Sequence, residues 1–248
     1  MNSGNGKPLA GDEKKGFVKR MFTGISANYD LVNSVASLFI DHYWRIKAKR
    51  ALKPRPGQLI LDLCSGTMPL ARAVVSRVKA RVVCLDISRA MLAQGMAKNG
   101  SLSHALYPIC GDAENLPFPD NTFDSAMVAF GIRNLGSLEN GLTEIYRVVR
   151  PGGKTVILEF SRPTLPVFAQ VYRLYLKKVL IPIGGALTND RQAYEYLVDS
   201  IYRFYKPEQV QRLIRTVGFE NVRKVSLTAR CVTLYSCNKC NGFGRSER

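Results

Sequence analysis

Ile60-Leu61-Asp62-Leu63-Cys64-Ser65-Gly66-Thr67 is an apolar run that ends in an acid and breaks into a turn of small residues. Twenty positions after Gly66, a second apolar run, Val82-Val83-Cys84-Leu85, ends in another acid, Asp86. Strand, turn, helix and strand in that order make a βαβ unit that grips a nucleoside. The turn lets backbone approach the ligand, and the second acid takes the ribose hydroxyls. The plainer reading makes Asp62 and Asp86 the solvent-facing strand ends of any α/β protein.

The turn narrows the ligand. A dinucleotide site reads Gly-x-Gly-x-x-Gly and sets a helix N-terminus against a pyrophosphate. Here Gly66 stands alone, and Met68-Pro69 fills the space of the later glycines. Asp62, just before the turn, repels phosphate and suits a cation. S-adenosylmethionine carries a sulfonium, an α-amino group and no phosphate. The electrostatics therefore favour it over a nicotinamide or flavin dinucleotide. Pro69 fits the first turn of the next helix, where its missing N–H costs little.

Further strand ends follow in order. Ile109-Cys110-Gly111-Asp112-Ala113-Glu114 closes a short apolar run and leads into Leu116-Pro117-Phe118-Pro119. Residues 121–128 read as another strand. Arg150-Pro151-Gly152-Gly153-Lys154 is expected to turn a helix into a strand over 155–160, its glycines supplying the positive backbone angles. Strands and helices alternate from 58 to 160, which argues a parallel sheet with crossover helices. Helices are predicted over 14–22, 29–37 and 41–52 before it, and over 167–180, 191–202 and 207–216 after it. Strands at 222–228 and 231–236, joined by a short turn, close the chain.

At 248 residues and 46% hydrophobic, the chain is expected to form one domain over 14–237. Residues 1–13 are predicted to be disordered and 238–248 to form a loose tail. No apolar run approaches a membrane span, and the N-terminus has no apolar signal region. Of the six cysteines, Cys64, Cys84 and Cys110 read as small buried thiols in a reducing compartment. Cys237-x-x-Cys240 has no second pair, so it reads as an incidental exposed pair rather than half a zinc site.

From about Phe17 to Lys239 the chain resembles the ubiquinone/menaquinone C-methyltransferases (the UbiE/MenG family). Met21-Phe22 with residues 29–34 is similar to the N-terminal signature of that family. The stretch 116–124 matches closely. Phe130-Gly131-Ile132-Arg133-Asn134, Glu159-Phe160-Ser161 and the segment from Asn189-Asp190 to Ser200-Ile201 separate it from other methyltransferases. The resemblance implies a Rossmann-like class I methyltransferase sheet, mostly parallel with one antiparallel strand, with appended N-terminal and inserted helices. It puts Thr67, Asp86, Asp112 and Ala113 in the cofactor site beside Asp62 and Gly66, with an acid at 112 bonding the adenine amino group. Tyr29, Arg133 and Asn134 fall near a quinol ring as catalytic residues. Some positions depart from the pattern. Met68-Pro69 replaces a small residue and an acid, and Ala129 stands where some members have serine. Asp41 takes the place of a histidine, leaving His42 one position out of step, and Arg230-Cys231 replaces a glycine-bearing pair.

The implied reaction is methyl transfer from S-adenosylmethionine to a ring carbon of a prenylated quinol, most simply demethylmenaquinol or the equivalent benzoquinol. No metal is expected. Arginine does not act as a free base, because its pKa exceeds about 12. Arg133 is therefore assigned to stabilising a phenolate or orienting a water, and Asn134 to bonding the ring oxygen. Asp30 and His42 are alternative bases, Tyr29 a cap over substrate, and His104 a surface residue. A phospholipid-headgroup N-methyltransferase is the alternative function.

The formal net charge of +17 admits nucleic acid, an anionic membrane surface or a solvated face as its cause. RNA-binding signatures are missing, so nucleic acid is not expected. The helix with Arg173, Lys177 and Lys178 reads either as a core helix with a basic face or as an interfacial helix over the substrate mouth. The expected location is cytoplasmic, with peripheral contact on the inner face of the membrane; a homodimer or a biosynthetic complex fits equally.

Overall fold

In the computed structural model, residues 11–27, 29, 30, 34, 37, 40–188 and 190–241 are described. Most of the helix expected over 29–37, Asn189, residues 1–10 and the tail beyond 241 lie outside the described residues. The element order is α1 (Gly11–Ile25), α2 (Asp41–Leu52), β1 (Leu59–Leu63), α3 (Pro69–Val75), β2 (Arg81–Asp86), α4 (Arg89–Lys98), β3 (Leu106–Cys110) and β4 (Phe123–Ala129). There follow α5 (Leu138–Val148), β5 (Val149–Phe160), α6 (Pro166–Tyr175), α7 (Ile181–Thr188), α8 (Arg191–Arg203), α9 (Pro207–Thr216), β6 (Phe219–Leu227) and β7 (Val232–Lys239). Short 3-10 turns precede β3 and α5, and a π-helical turn, Leu176–Leu180, joins α6 to α7.

The strands form one seven-stranded sheet in the order β3-β2-β1-β4-β5-β7-β6. All pairs from β3 to β5 are parallel, and β7 runs antiparallel between β5 and β6. This is the predicted Rossmann-like sheet with its closing hairpin. The strand order reverses between β1 and β4, and in open α/β sheets ligands bind outside the carboxyl ends of strands at such a point.

Alternation along each strand feeds two cores. Leu61, Leu63, Val128 and Ile157 pack under α5 and α9. Ile60, Cys84, Met127 and Leu158 pack under α2, α3 and α4. A third cluster joins Val18, Met21 and Ile25 of α1 to Leu176, Leu180 and α8. It holds the N-terminal helix over the carboxyl end of the sheet.

Five local expectations need correction. Gly11, Asp12 and Glu13, inside the stretch expected to be disordered, are the first residues of α1. Arg150–Lys154 does not connect helix to strand; it lies within β5, which starts at Val149, and forms the irregularity in its pairing with β4. Asn238 and Lys239 belong to β7, where they pair with Glu220 and Phe219, so the end of the sheet reaches into the expected tail. Cys237 is not exposed: it is 1% accessible, its thiol faces the carbonyl of Thr155, and burial pushes its pKa up to about 12. Cys110, conversely, is exposed at the end of β3, the edge strand of the sheet.

Candidate active site

The turn after β1 takes left-handed backbone at Cys64, Gly66 and Met68. It folds Gly66 toward the ends of β1 and β2. Asp86 completes the arrangement: its Oδ2 accepts from the Gly66 N–H at 2.9 Å and its Oδ1 from the Ser88 N–H at 2.9 Å. Burial raises the Asp86 pKa, and these backbone donors oppose the rise. Met68, the odd residue of the turn, is fully buried and packs toward α4. A Cβ on Gly95 would lie 3.0 Å from the Met68 Cγ and from the Thr67 carbonyl carbon, so only glycine lets α4 come this close. The side chain that replaces a glycine in the turn is thus housed by a glycine in the next helix, a pairing that the local motif does not reveal.

A cleft with about 630 Å³ of empty space, its open mouth included, runs over the carboxyl ends of β1, β2 and β4. Gly66, Asp86, Asp112 and Ala113 line it, as expected, and so do Tyr29 and Asn134. Its remaining walls are chiefly apolar, with Ile87, Met91 and Leu135 among them. Asp86, Asp112 and Glu114 line the cleft together with Lys15, which pairs with the last two; the carboxylates suit the sulfonium, amino and ribose groups of S-adenosylmethionine.

Asp62 and Thr67 are not in that cleft. Asp62 lies inside β1, one residue before its end, on the face that carries α2 and α3, whereas Asp86 closes β2. Its carboxyl is 1% exposed, its Oδ2 has no hydrogen-bond partner, and burial pushes its pKa up to about 7, opposed by the charge of Arg45. Thr67 is buried beneath the turn and donates its hydroxyl to Asp30. Asp30 also accepts from Lys98 at 2.7 Å, so it ties the N-terminal segment to the turn and to α4.

Arg133 and Asn134 form the 3-10 turn after β4. Gly131 opens this turn, and a Cβ there would collide with the side chain of Cys64, so the two loops touch. Asn134 faces the cleft, and its Oδ1 accepts from the Tyr196 hydroxyl at 3.2 Å. Burial pushes the Tyr196 pKa up to about 12, which keeps that phenol a donor. Arg133 is 5% exposed. Its Nη1 donates to Glu159 Oε1 at 2.8 Å and to the carbonyl of Phe130, and its Nε to Ser200 at 3.3 Å. Glu159 accepts in turn from the Arg133 backbone N–H at 3.1 Å. The guanidinium lies 5.2 Å from the centre of the Phe160 ring.

Beside the cleft lies a second cavity, mostly apolar, with about 580 Å³ of empty space. Trp44, Phe130 and Phe160 form an aromatic cluster at its wall, with ring centres 4.5 to 6.0 Å apart. Arg133, Tyr172 and Leu180 also line it. Tyr29 and Phe130 border both cavities, so the two adjoin.

Sequence reasoning missed the lysines of α1. Lys15 reaches Asp112 at 2.8 Å and Glu114 at 3.3 Å, and Lys14 donates to the carbonyls of Arg133 and Leu135. Their positions in a basic N-terminal run gave no sign of these targets. Glu159 and Tyr196 stood inside the matched motifs, yet nothing local showed that they hold Arg133 and Asn134. His42 and His104 are exposed, the first with a side chain 67% accessible. Among the described residues, no cluster of three or more His, Cys, Asp or Glu is arranged to hold a metal ion.

Known proteins carry the same pattern. The model of the ubiE/COQ5 methyltransferase family matches residues 9–239. The demethylmenaquinone methyltransferase of Corynebacterium kroppenstedtii is 39% identical over 228 residues, covering 92% of this chain and 96% of that protein. The ubiquinone/menaquinone biosynthesis C-methyltransferase UbiE of Dinoroseobacter shibae is 39% identical over 228 residues, 91% of each chain. Among solved structures, an S-adenosylmethionine-dependent methyltransferase of Thermotoga maritima shares the fold with a TM-score of 0.61 at 18% identity, covering 89% of this chain and 99% of that one.

Proposed function

The chain belongs to the ubiE/COQ5 methyltransferase family and is an S-adenosylmethionine-dependent C-methyltransferase of quinone biosynthesis; from that premise we propose that its acceptor is a prenylated quinol, demethylmenaquinol first. The observation that carries this reading is the aromatic cavity beside the cofactor cleft, with Arg133 buried in its wall. A flat, apolar ring with oxygen substituents suits aromatic walls and a fixed cationic donor. An ethanolamine headgroup is cationic and gains nothing from a buried arginine.

S-adenosylmethionine, when bound, supplies an electrophilic methyl group on a sulfonium. The residues of this chain must hold the ring carbon in line with it, keep water out and stabilise negative charge on a ring oxygen. In the proposed arrangement, Asp86 fixes the ribose and Asp112 with Ala113 the adenine. Asn134, its carbonyl taken by Tyr196, keeps its NH₂ as a donor for the ring oxygen. Arg133, held by Glu159, stabilises the phenolate from the side of the second cavity. Tyr29 borders both cavities and closes over the reacting ring.

The decisive experiment incubates labelled S-adenosylmethionine with demethylmenaquinol, demethoxybenzoquinol and phosphatidylethanolamine in parallel. Label is expected in the quinols, the naphthoquinol foremost. Label in the phospholipid alone would sink the reading.

Membrane contact belongs to the same proposal. Among the described residues, no helix is long and apolar enough to cross a membrane. Residues 167–180 divide between the two readings: Leu176 and Leu180 are buried in a core cluster, whereas α6 itself has no fully buried residue. Phe168 and Tyr172 pack inward, while Val167, Val171 and Leu174 are 77%, 61% and 60% exposed. Arg173, Lys177 and Lys178 flank that apolar stripe, a pattern suited to an anionic bilayer surface. Tyr172, Leu176 and Leu180 of the same segment line the aromatic cavity, so a quinol would enter from the bilayer side. With Val171→Asp and Leu174→Asp together, turnover of quinol in anionic vesicles is expected to fall roughly tenfold or more. Turnover of a short-chain quinol in solution should hold. Equal losses on both substrates would argue for a folding defect instead.

A further inference from the structure

Quinol methylation needs a group that takes a proton from a ring hydroxyl, and the residues named so far do not offer one. Arg133 keeps its proton. Glu159 is occupied, with Oε1 accepting from Arg133 and the Phe160 N–H and Oε2 from the Arg133 N–H. Asp30 is taken by Thr67 and Lys98. The His42 side chain lies on the surface. Burial drives the Tyr172 phenol far above its ordinary pKa, so it holds its proton.

One carboxylate lines the aromatic cavity among its described residues, and it is Asp41. It opens α2, is 6% exposed, and accepts from the Ser37 hydroxyl through Oδ1 at 3.1 Å. His42 Nδ1 lies 3.4 Å from the same oxygen. Oδ2 stands 3.6 Å from Arg45 Nε, beyond hydrogen-bond reach, and that Nε is buried without a hydrogen-bond partner. The Arg45 guanidinium rests 5.4 Å from the centre of the Phe130 ring, and Arg45 lines the cavity too. One turn of α2 therefore brings to the cavity wall a carboxylate and an unbonded cationic N–H, side by side.

We propose that Asp41 is the general base of the reaction and that Arg45, which lines the same cavity as Arg133, shares with it the stabilisation of the phenolate created. This rests on the quinol reading above. The hydroxyl O–H bond breaks, the proton passes to the Asp41 carboxylate, and the electron pair stays on the ring oxygen beside Arg45. That charge enters the ring, and the activated ring carbon bonds to the methyl carbon as the bond from methyl to sulfur breaks, its electron pair leaving on sulfur. The same ring carbon then loses its hydrogen to solvent as a proton, which restores the aromatic phenolate. Asp41 returns its proton to that oxygen. The sum is one methyl gained by the ring, one neutral thioether formed and one proton released.

The test compares wild type, Asp41→Asn and Asp41→His on demethylmenaquinol in detergent micelles, with kcat followed across pH. Groups facing Asp41 that also titrate or carry charge are His42 and Arg45 on α2, Arg133 on the 3-10 turn, Tyr172 on α6 and Tyr29. Asp41→Asn is expected to lose about 10²- to 10⁴-fold in kcat, the usual weight of a general base. Its S-adenosylmethionine affinity, read by calorimetry, should match wild type. Asp41→His should recover part of the rate, with the acidic limb of its profile moved toward the imidazole range near about 6.5. An Asp41→Asn enzyme within about fivefold of wild type would overturn the proposal, since a general base carries far more. So would an Asp41→His profile whose acidic limb coincides with that of wild type. Should Asp41→Asn fail to fold, the limb of Asp41→His decides alone. Wild-type turnover with an indifferent Asp41→Asn removes Asp41 and leaves the quinol reading standing; wild type that methylates no quinol removes both.

Discussion

Replacing Arg133 with methionine is expected to lower stability by about 3–5 kcal/mol while abolishing methyl transfer. From its motif, Arg133 reads as a catalytic residue. The structure adds a second cost. Its partner Glu159 is 1% exposed and takes its hydrogen bonds from the Arg133 side chain, the Arg133 backbone and Phe160. Without the guanidinium, a carboxylate is left buried with no counter-charge, and breaking one side of such a pair costs far more than the pair contributes. For a chain of this size, about 3–5 kcal/mol corresponds to a drop of roughly 6–20 °C in thermal midpoint. The double variant Arg133→Met with Glu159→Gln removes both charges and should regain most of that stability without regaining activity. Calorimetric unfolding beside a methyl-transfer assay checks both halves. A single variant as stable as wild type would mean that the ion pair is open to solvent.

Asp86→Ala is expected to weaken S-adenosylmethionine binding about a hundredfold or more. A buried carboxylate that bonds two ribose hydroxyls loses roughly 1.5–3 kcal/mol for each charged hydrogen bond, and every 1.4 kcal/mol is tenfold. The same carboxylate holds the Gly66 and Ser88 N–H groups, so the turn after β1 loosens as well. Some of this is offset, because burial already disfavours the charge and its removal relieves that cost. The fold should persist with a midpoint a few degrees lower. Titration calorimetry with S-adenosylhomocysteine reads the affinity without turnover. Unchanged affinity would remove Asp86 from the ribose site.

The two residues fared differently between sequence and structure. Asp86 was legible because its role is local: it ends a strand, twenty positions past the glycine whose N–H it holds. Gly66, Asp112 and Ala113 line the cleft for a similarly local reason, each lying just past the end of β1 or β3. Asp62 looks equivalent in the sequence, and the register of β1 with β2 puts it on the same face as Asp86. It lies inside β1 instead of closing the strand, however, and is buried with its Oδ2 unbonded. Met68 shows the converse, since its acceptance depends on Gly95 in a different helix. The closing hairpin passes through left-handed backbone at Thr228, Ala229 and Arg230 with no glycine to ease it. Trp44 bonds the Thr228 hydroxyl and Ser161 the Arg230 carbonyl, contacts that no reading of the turn alone would supply.

The sequence by itself determined the sheet, the nucleoside turn and the family. Those depend on hydrophobic period and on motifs in which every partner is near in the chain. Only the tertiary structure decided what surrounds the acceptor. It brought Asp41 and Arg45 of α2 beside Phe130, Arg133 and Phe160 at the ends of β4 and β5, and Tyr172 of α6 behind them. It also showed that α6 turns Val167, Val171 and Leu174 to solvent while Phe168 and Tyr172 pack inward. Side chains more than a hundred residues apart meet there because the sheet sets their strands adjacent and packs α2 across them. That distance in sequence is why a single departure, Asp41, could be noticed in the motif but given a chemical place only by the fold.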